Sequence, residues 1–310
     1  MEVVHGHRSA PAWPGAALAI GNFDGVHAGH RALIDRARAL AAARGLAAVA
    51  LTFDPHPAAV LAPQPPARVC SLARRLELLA AAGLDATVVE PFTRELAALT
   101  ADAFVDDIVL GALRARAIVV GYDFCYGHGR TGSTDALRAH GARAGADVEI
   151  VPPVQVDDEI ASSSKIRNYL RAGDLPGAER LLGRRWDLDG TVVHGAKRGR
   201  AIGIPTANIA PESDLSIAPG IYAVTLAVLG EGGPAAALPA VASLGTNPTF
   251  VESGGLVLEV HVLGWDGDLY GRRVRTTFVA KIRDEQKFDS VDALLAQIRT
   301  DIDRARSLLG

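Results

Sequence analysis

Residues Ala17–His30 read ALAIGNFDGVHAGH, and this stretch decides the first half of the fold. Ala17–Ile20 is a short, continuous apolar run, as expected of a strand covered on both faces. Gly21 and Gly25 follow, where backbone can turn and approach a ligand closely. His27 and His30 then flank Gly29 at the start of a helical pattern over His30–Ala43. A strand that runs through a glycine loop into a helix N-terminus offers backbone N–H groups and a helix dipole to an anion. Outside such a setting an HxxH pair reads as two surface histidines. Here both imidazoles are aimed at one phosphate, where they would stabilise charge developing during its transfer.

Working outward, short apolar runs recur at Ala47–Phe53, Ala86–Val89, Ala117–Val120 and Val148–Val151. Helical patterns separate them at Ser71–Ala82, Ala101–Leu113 and Thr134–Ala144, with two more at Ser163–Ala172 and Pro176–Leu182. This alternation predicts an α/β Rossmann-like domain, a parallel sheet with helices on both faces. Its ligands belong at the carboxyl ends of the strands.

The second half differs. Gly220–Val228, Ala240–Ser243, Leu256–Leu263 and Arg273–Ile282 are rich in Val, Ile, Thr and Tyr and are split by Gly, Pro and Asp clusters. That pattern predicts an antiparallel β-barrel or sandwich. WDGD (Trp265–Asp268) reads as a hairpin turn. A C-terminal helix follows, with Val291, Leu294, Leu295, Ile298, Ile302, Ala305 and Leu309 on one face and Ser290 as its N-cap. With 310 residues, at about 150 per domain, the chain has room for two domains. The expected division is 1–185 and 186–310.

Composition excludes more than it proposes. Apolar residues make up 49%, charged residues 22%, and the net charge is −3, as in an ordinary globular protein. The chain carries 20 acidic and 20 basic residues up to Arg185, then 15 and 12, so neither half has a nucleic-acid binder's basic excess. No apolar run approaches the length of a membrane span. MEVVHGHRSAPAWPG lacks the apolar core of a signal peptide. Cys70 and Cys125 lie far apart and cannot build a metal site alone. A cytoplasmic protein, monomeric or a weak homo-oligomer, is expected.

GNFDGVHAGH resembles the HxGH signature of the nucleotidylyltransferase superfamily, in the version of the prokaryotic bifunctional riboflavin kinase/FAD synthetase family. TFDPHP (Thr52–Pro57), GYDFCYGHGRTG (Gly121–Gly132) and SSSKIR (Ser162–Arg167) carry the same resemblance. It implies adenylylation of FMN by ATP to FAD, with release of pyrophosphate. His27 and His30 would be catalytic. Gly21, Asn22, Phe23, Asp24, Gly29, Asp54, Asp123 and Phe124 would bind nucleotide or flavin, as would Ser162, Ser163, Ser164 and Arg167. By their own chemistry Asp54 and Asp123 fit turn residues equally well, His56 between two prolines is structural, and Ser162–Ser164 fit an ordinary helix cap. The family carries a basic and an aromatic residue where this chain has Cys125 and Tyr126. Cys125 has no evident base to make it a nucleophile.

GTVVHGAKRGRAIGIPTANI (Gly190–Ile209) is rich in glycine and basic residues but lacks the Walker spacing. By spacing alone it is a flexible hairpin. PTAN (Pro205–Asn208) resembles the riboflavin kinase signature, and the resemblance continues through GIYAV, SLGTNPTF, LEVHVLGWDGDLYG and IRDEQKF. It implies phosphorylation of riboflavin by ATP, with Thr206 and Asn208 holding Mg²⁺. Gly195, Lys197, Gly199, Arg200, Gly203, Pro205, Asn247 and Arg283 would contact nucleotide or flavin. Glu259, expected to point into the barrel with His261 on its face, would take the proton of the ribityl hydroxyl. His261 itself reads as structural. Two other readings keep these folds: only one efficient activity or a flavin analogue as substrate, and a flavin-binding protein without catalysis.

Overall fold

The computed structural model describes residues 1–195, 199, 203–230, 236–246 and 256–310. Packing divides the chain into two units. The first comprises Met1–Pro66 and Leu72–Ser162; the second comprises Ala67–Ser71 and Ser163–Gly310.

The first unit is a parallel sheet of β1 (Glu2–His5), β2 (Ala16–Ile20), β3 (Ala47–Asp54), β4 (Ala86–Pro91), β5 (Ala115–Gly121) and β6 (Asp147–Val151). Their spatial order is β1-β4-β3-β2-β5-β6, all parallel. The Ala-rich runs alternate with period two. Leu18, Ile20, Val49 and Leu51 join one core cluster, while Ala17, Ala19, Ala48 and Ala50 join the other with Leu33, Ile34, Leu78 and Leu79. The small Ala face lets α1 (Ala28–Arg44) pack closely; α2 (Pro57–Leu61) and α3 (Leu72–Ala81) follow β3. β1 has no counterpart among the expected strands because three of its four residues are exposed, leaving no apolar pattern. The helical stretch expected at Ala101–Leu113 is a short α-turn, Ala101–Ala103, continued by a π-helix, Phe104–Ala112. A small ribbon, β7 (Gln155–Val156) with β8 (Glu159–Ile160), closes the unit.

The second unit opens with helices Ser163–Ala172 and Leu175–Leu182. Packing thus parts the chain at Ser162, not at 185/186. The reason is an apolar face: Ile166, Leu170, Leu175, Ala178, Leu181 and Leu182 are buried, and the second helix lies against a barrel strand. Trp186 Nε1 donates to Val69 O at 2.8 Å, which brings Ala67–Ser71 into the same unit.

Six antiparallel strands then close a barrel: β9 (Asp187–Val193), β10 (Ala207–Pro211), β11 (Gly220–Val228), β12 (Leu238–Thr246), β13 (Leu256–Val262) and β14 (Arg273–Arg283). The closed order is β10-β13-β12-β11-β14-β9. β9 is hidden in the sequence by Asp187 and Asp189, which read as loop. Asp189 is buried and accepts from Arg275 Nε at 2.6 Å and Arg273 Nη2 at 3.1 Å. WDGD is not a hairpin turn, because β13 and β14 are not neighbours; the segment is a longer connection between separated strands. The C-terminal helix, Val291–Leu309, is capped by Ser290 Oγ accepting from Ala293 N–H at 3.1 Å. It lies over β11, β12 and β14, with Ala305 buried against Ala223 and Leu263. No helix among the described residues is long and apolar enough to cross a membrane.

Candidate active sites

β2 ends at Ile20, and the chain turns through Gly21–His27 into α1. The turn holds Phe23 and Val26 at φ 50° and 44°, left-handed backbone that a β-branched residue rarely adopts. Such strain concentrates at functional sites. His27 caps α1, its Nδ1 accepting from His30 N–H at 3.4 Å. The two imidazoles stack with centroids 3.7 Å apart. Gly29 makes room for that stack, since a Cβ there would sit 3.1 Å from the His27 ring. Phe23 meets His30 edge-on at 5.3 Å. Burial, then the neighbouring His27 and Arg75, hold His30 well below the usual histidine pKa. His30 Nδ1 is buried and has no hydrogen-bond partner among the described residues. The pair therefore combines a helix N-terminus, a neutral imidazole and a buried ring nitrogen with no partner among the described residues, features that suit an oxyanion.

The sheet order makes β5 the neighbour of β2, and the chain reverses its direction of growth there. This is the crevice where ligands bind in α/β sheets. Asp54 ends β3, its Oδ1 3.6 Å from Arg75 Nη2. Asp123 lies exposed in the turn after β5, where Phe124 N–H donates to Gly121 O at 3.1 Å. His56 caps α2, accepting from Ala58 N–H at 3.1 Å, a structural role as expected. Tyr126 is buried against Phe104 and Phe124. Tyr126 thus keeps the family's aromatic position, and the departure is confined to Cys125, which is exposed where the family has a basic residue.

Ser162 ends the first unit, and Ser163, Ser164 and Arg167 belong to the second. Arg167 is buried, and its Nε donates to Ala67 O at 2.7 Å. Ser162 stays in the unit of the histidine pair, and the carbonyl of its neighbour Ala161 would lie 3.5 Å from a Cβ on Gly29.

In the barrel, strand register places Asn208, Glu259 and Ser243 side by side on β10, β13 and β12. Leu258 and Val260 fill the barrel core, both fully buried. Glu259 is on the other face, so it points out of the barrel rather than into it. There it lines a cavity of about 650 Å³ with Thr206, Ser243 and His261, bounded by Arg283–Val291 and the C-terminal helix. That volume falls in the range of small-molecule sites. The helix residues Leu294, Ile298 and Ile302 line this cavity. Val291 does too and is 58% exposed, so the first turn of the expected apolar face is not covered.

The glycines of the loop before PTAN have a steric reason. A Cβ at Gly195 would meet the Asn208 amide at 2.2 Å, and one at Gly199 would lie 2.3 Å from Ile204 O and 3.2 Å from Thr206 Oγ1. Gly203 has φ 80°. His261 Nδ1 bonds to Pro205 O at 2.7 Å and so anchors the PTAN segment. Arg283 lines the cavity but is engaged elsewhere. Its Nε and Nη2 donate to buried Asp301 at 3.0 and 2.8 Å, and Nη1 donates to Asp284 O at 2.9 Å. Lys197, Arg198, Arg200 and Asn247 lie outside the described residues.

Three residues at these sites, Arg75, Asp301 and Ser243, are absent from the sequence-based expectations. For Arg75 and Asp301 a signal exists. Each is a charge at an apolar-face position of a helix, beside Leu78 and Leu79 or Ile298 and Ala305, where a core residue is expected. Ser243 carries no comparable mark, since only strand pairing brings it beside Glu259.

Comparison with known proteins finds a family for each half of the chain. A family model described as FAD synthetase matches residues 9–165, and one described as riboflavin kinase matches 182–309. The bifunctional riboflavin kinase/FMN adenylyltransferase of Escherichia coli K12 is 40% identical, covering 99% of this chain and 96% of its own. The protein of that name from Pseudomonas fluorescens is 38% identical, covering 99% and 98%. A crystal structure described as a macrolide-efflux protein from Streptococcus pneumoniae superposes with a TM-score of 0.86 at 30% identity, covering 99% of both chains. By these matches over its whole length, the chain belongs to the bifunctional riboflavin kinase/FMN adenylyltransferase family.

Proposed function

We propose that the barrel site phosphorylates riboflavin and that the Gly21–His30 site adenylylates the resulting FMN. In the barrel, Glu259 accepts the proton of the ribityl 5′-hydroxyl as its oxygen attacks the γ-phosphorus of ATP, and ADP leaves. The site suits Mg²⁺: Thr206 and Asn208 supply hard oxygen donors, and both side chains sit where a Cβ on Gly199 or Gly195 would intrude. Bound there, Mg²⁺ would spread the charge of the ATP phosphates. Gly195, Lys197, Gly199, Arg200, Gly203, Pro205 and Asn247 bind the nucleotide or flavin. Arg283 serves through Asp301, fastening the cavity wall to the C-terminal helix.

In the first unit, an FMN phosphate oxygen attacks the α-phosphorus of ATP and pyrophosphate leaves. The nucleophile is already an anion, so no general base is required. His27, His30 and the N-terminus of α1 stabilise the developing charge. Gly21, Asn22, Phe23, Asp24, Gly29, Asp54, Asp123 and Phe124 shape the nucleotide and flavin site, and Ser162, Ser163, Ser164 and Arg167 bind ATP phosphates. By function the proposed division is 185/186, close to the start of the riboflavin kinase match at 182, whereas the FAD synthetase match ends at 165. The partners are these small molecules, the compartment is the cytoplasm, and the chain is a monomer or weak homo-oligomer.

The observation that carries this reading is the placing of Glu259 and Thr206 on one cavity, with Asn208 in register beside Glu259. Incubation with riboflavin, ATP and Mg²⁺, followed by chromatography, tests it. FMN followed by FAD is expected. FMN alone would leave a kinase with a weak second activity, and tight flavin binding without turnover would leave a binding protein.

A further inference from the structure

We infer that Arg75 is the positioning residue of the adenylyl-transfer loop: its buried guanidinium orients the Asn22–Phe23 peptide and fixes a positive charge beside His30. Arg75 stands on α3 with its side chain 2% exposed. A guanidinium buried this deeply is costly unless its donors are satisfied. Here one terminal nitrogen spends its donors at the site, while Nε is buried with no hydrogen-bond partner among the described residues. Nη1 lies 3.0 Å from each of three acceptors, Asn22 O, Thr52 Oγ1 and Phe53 O. Thr52 Oγ1 in turn donates to Asn22 O at 3.0 Å. Nη2 lies 3.6 Å from Asp54 Oδ1.

All of these acceptors sit at the carboxyl ends of β2 and β3, and Asn22 O receives two hydrogen bonds. That carbonyl belongs to the peptide that leads into Phe23, whose left-handed φ the loop must hold. Fixing its plane keeps the following helix start, with His27 and His30, in place. The charged neighbours of His30 are His27 and Arg75, and Asp54 lies 3.6 Å from Arg75 Nη2. After burial, His27 and Arg75 hold His30 in its neutral form. A staple of α3 to the sheet would account for Thr52 and Phe53, both on β3, but not for the bond to Asn22 O in the loop.

The inference rests on the adenylyl-transfer reading above, and the test separates the two. In the full chain, Arg75→Gln should lower kcat for FAD formation from FMN by about 10- to 100-fold, the usual effect of losing a supporting contact behind a site. It should also raise the midpoint of the His30 imidazole titration followed by NMR. Arg75→Lys should restore that midpoint but only part of kcat, because an ammonium cannot reproduce the planar fork. FMN formation by the same chain is the control for folding. An unmoved His30 midpoint, or an unchanged kcat, in Arg75→Gln would overturn the inference. Should that variant fail to fold, Arg75→Lys carries the test: lowered kcat with the midpoint retained supports it, and unchanged kcat overturns it. If wild-type chain forms no FAD, the adenylyl-transfer reading falls, and the inference with it. If His27→Ala is inactive while Arg75→Gln is fully active, only the role of Arg75 falls.

Discussion

Around the first site stand two stacked imidazoles, one kept neutral, and the buried cation of Arg75. Around the second stand a carboxylate, Glu259, and the neutral oxygens of Thr206, Ser243 and Asn208. The nucleophile explains the difference. A phosphate monoester arrives charged, needs no base, and is best met by donors and positive charge. A ribityl hydroxyl arrives neutral and must lose a proton, which in the proposed function is the task of the carboxylate. The scaffolds differ to match. A helix N-terminus at the end of a parallel strand supplies donors without any side chain, whereas an antiparallel barrel supplies a row of side chains in register across its strands.

Single substitutions can break this comparison. The largest effect is expected for Glu259→Gln, which keeps the shape and removes the base. FMN formation should fall by about 10³-fold, the scale of general-base catalysis, while FAD formation from supplied FMN persists. Equal loss of both activities in folded protein would collapse the distinction between the sites. Next comes His27→Ala, expected to cost about 10²-fold in FAD formation, as for loss of one oxyanion donor, with FMN formation retained. Asp301→Ala sharpens the comparison in the barrel, where stability and site share a residue. Breaking the buried pair with Arg283 should destabilise that unit by about 3 kcal/mol and raise the KM for riboflavin, seen as a lowered Tm and in saturation kinetics. Smallest is Ser290→Ala, where loss of the helix cap should cost about 1 kcal/mol in denaturant unfolding and leave the adenylyl step untouched.

Local features are legible in the amino-acid sequence. The strand at Ala17–Ile20, the glycine turn, the histidine spacing and the cap at Ser290 depend on near neighbours in the chain, and each stands where its local pattern places it. β1 and β9 are not legible for the same reason turned round. Exposed residues in β1 and paired aspartates in β9 erase the local apolar pattern, and pairing with β4, and with β10 and β14, is what makes them strands. Tyr126 shows the limit from the other side. Its place in a ligand-facing motif invites a functional reading, yet its ring is packed into the core.

By itself the sequence determined an α/β half, a β half and two phosphate-transfer motifs, because helix and strand periods, glycine loops and capping residues act over a few residues. It also placed Glu259 and His261 on one face of a strand. Only the tertiary structure decided which face that is. Closure of the barrel puts Leu258 and Val260 inside, so Glu259 opens outward onto a cavity walled by the C-terminal helix. It likewise decided that the helices after Ser162 pack with the barrel unit, and that Arg75 ties the loop before α1 to the end of β3. The physical reason is common to all three. A side-chain period records which residues share a face, but burial is settled by contacts between segments far apart in the chain, and a local pattern carries no record of them.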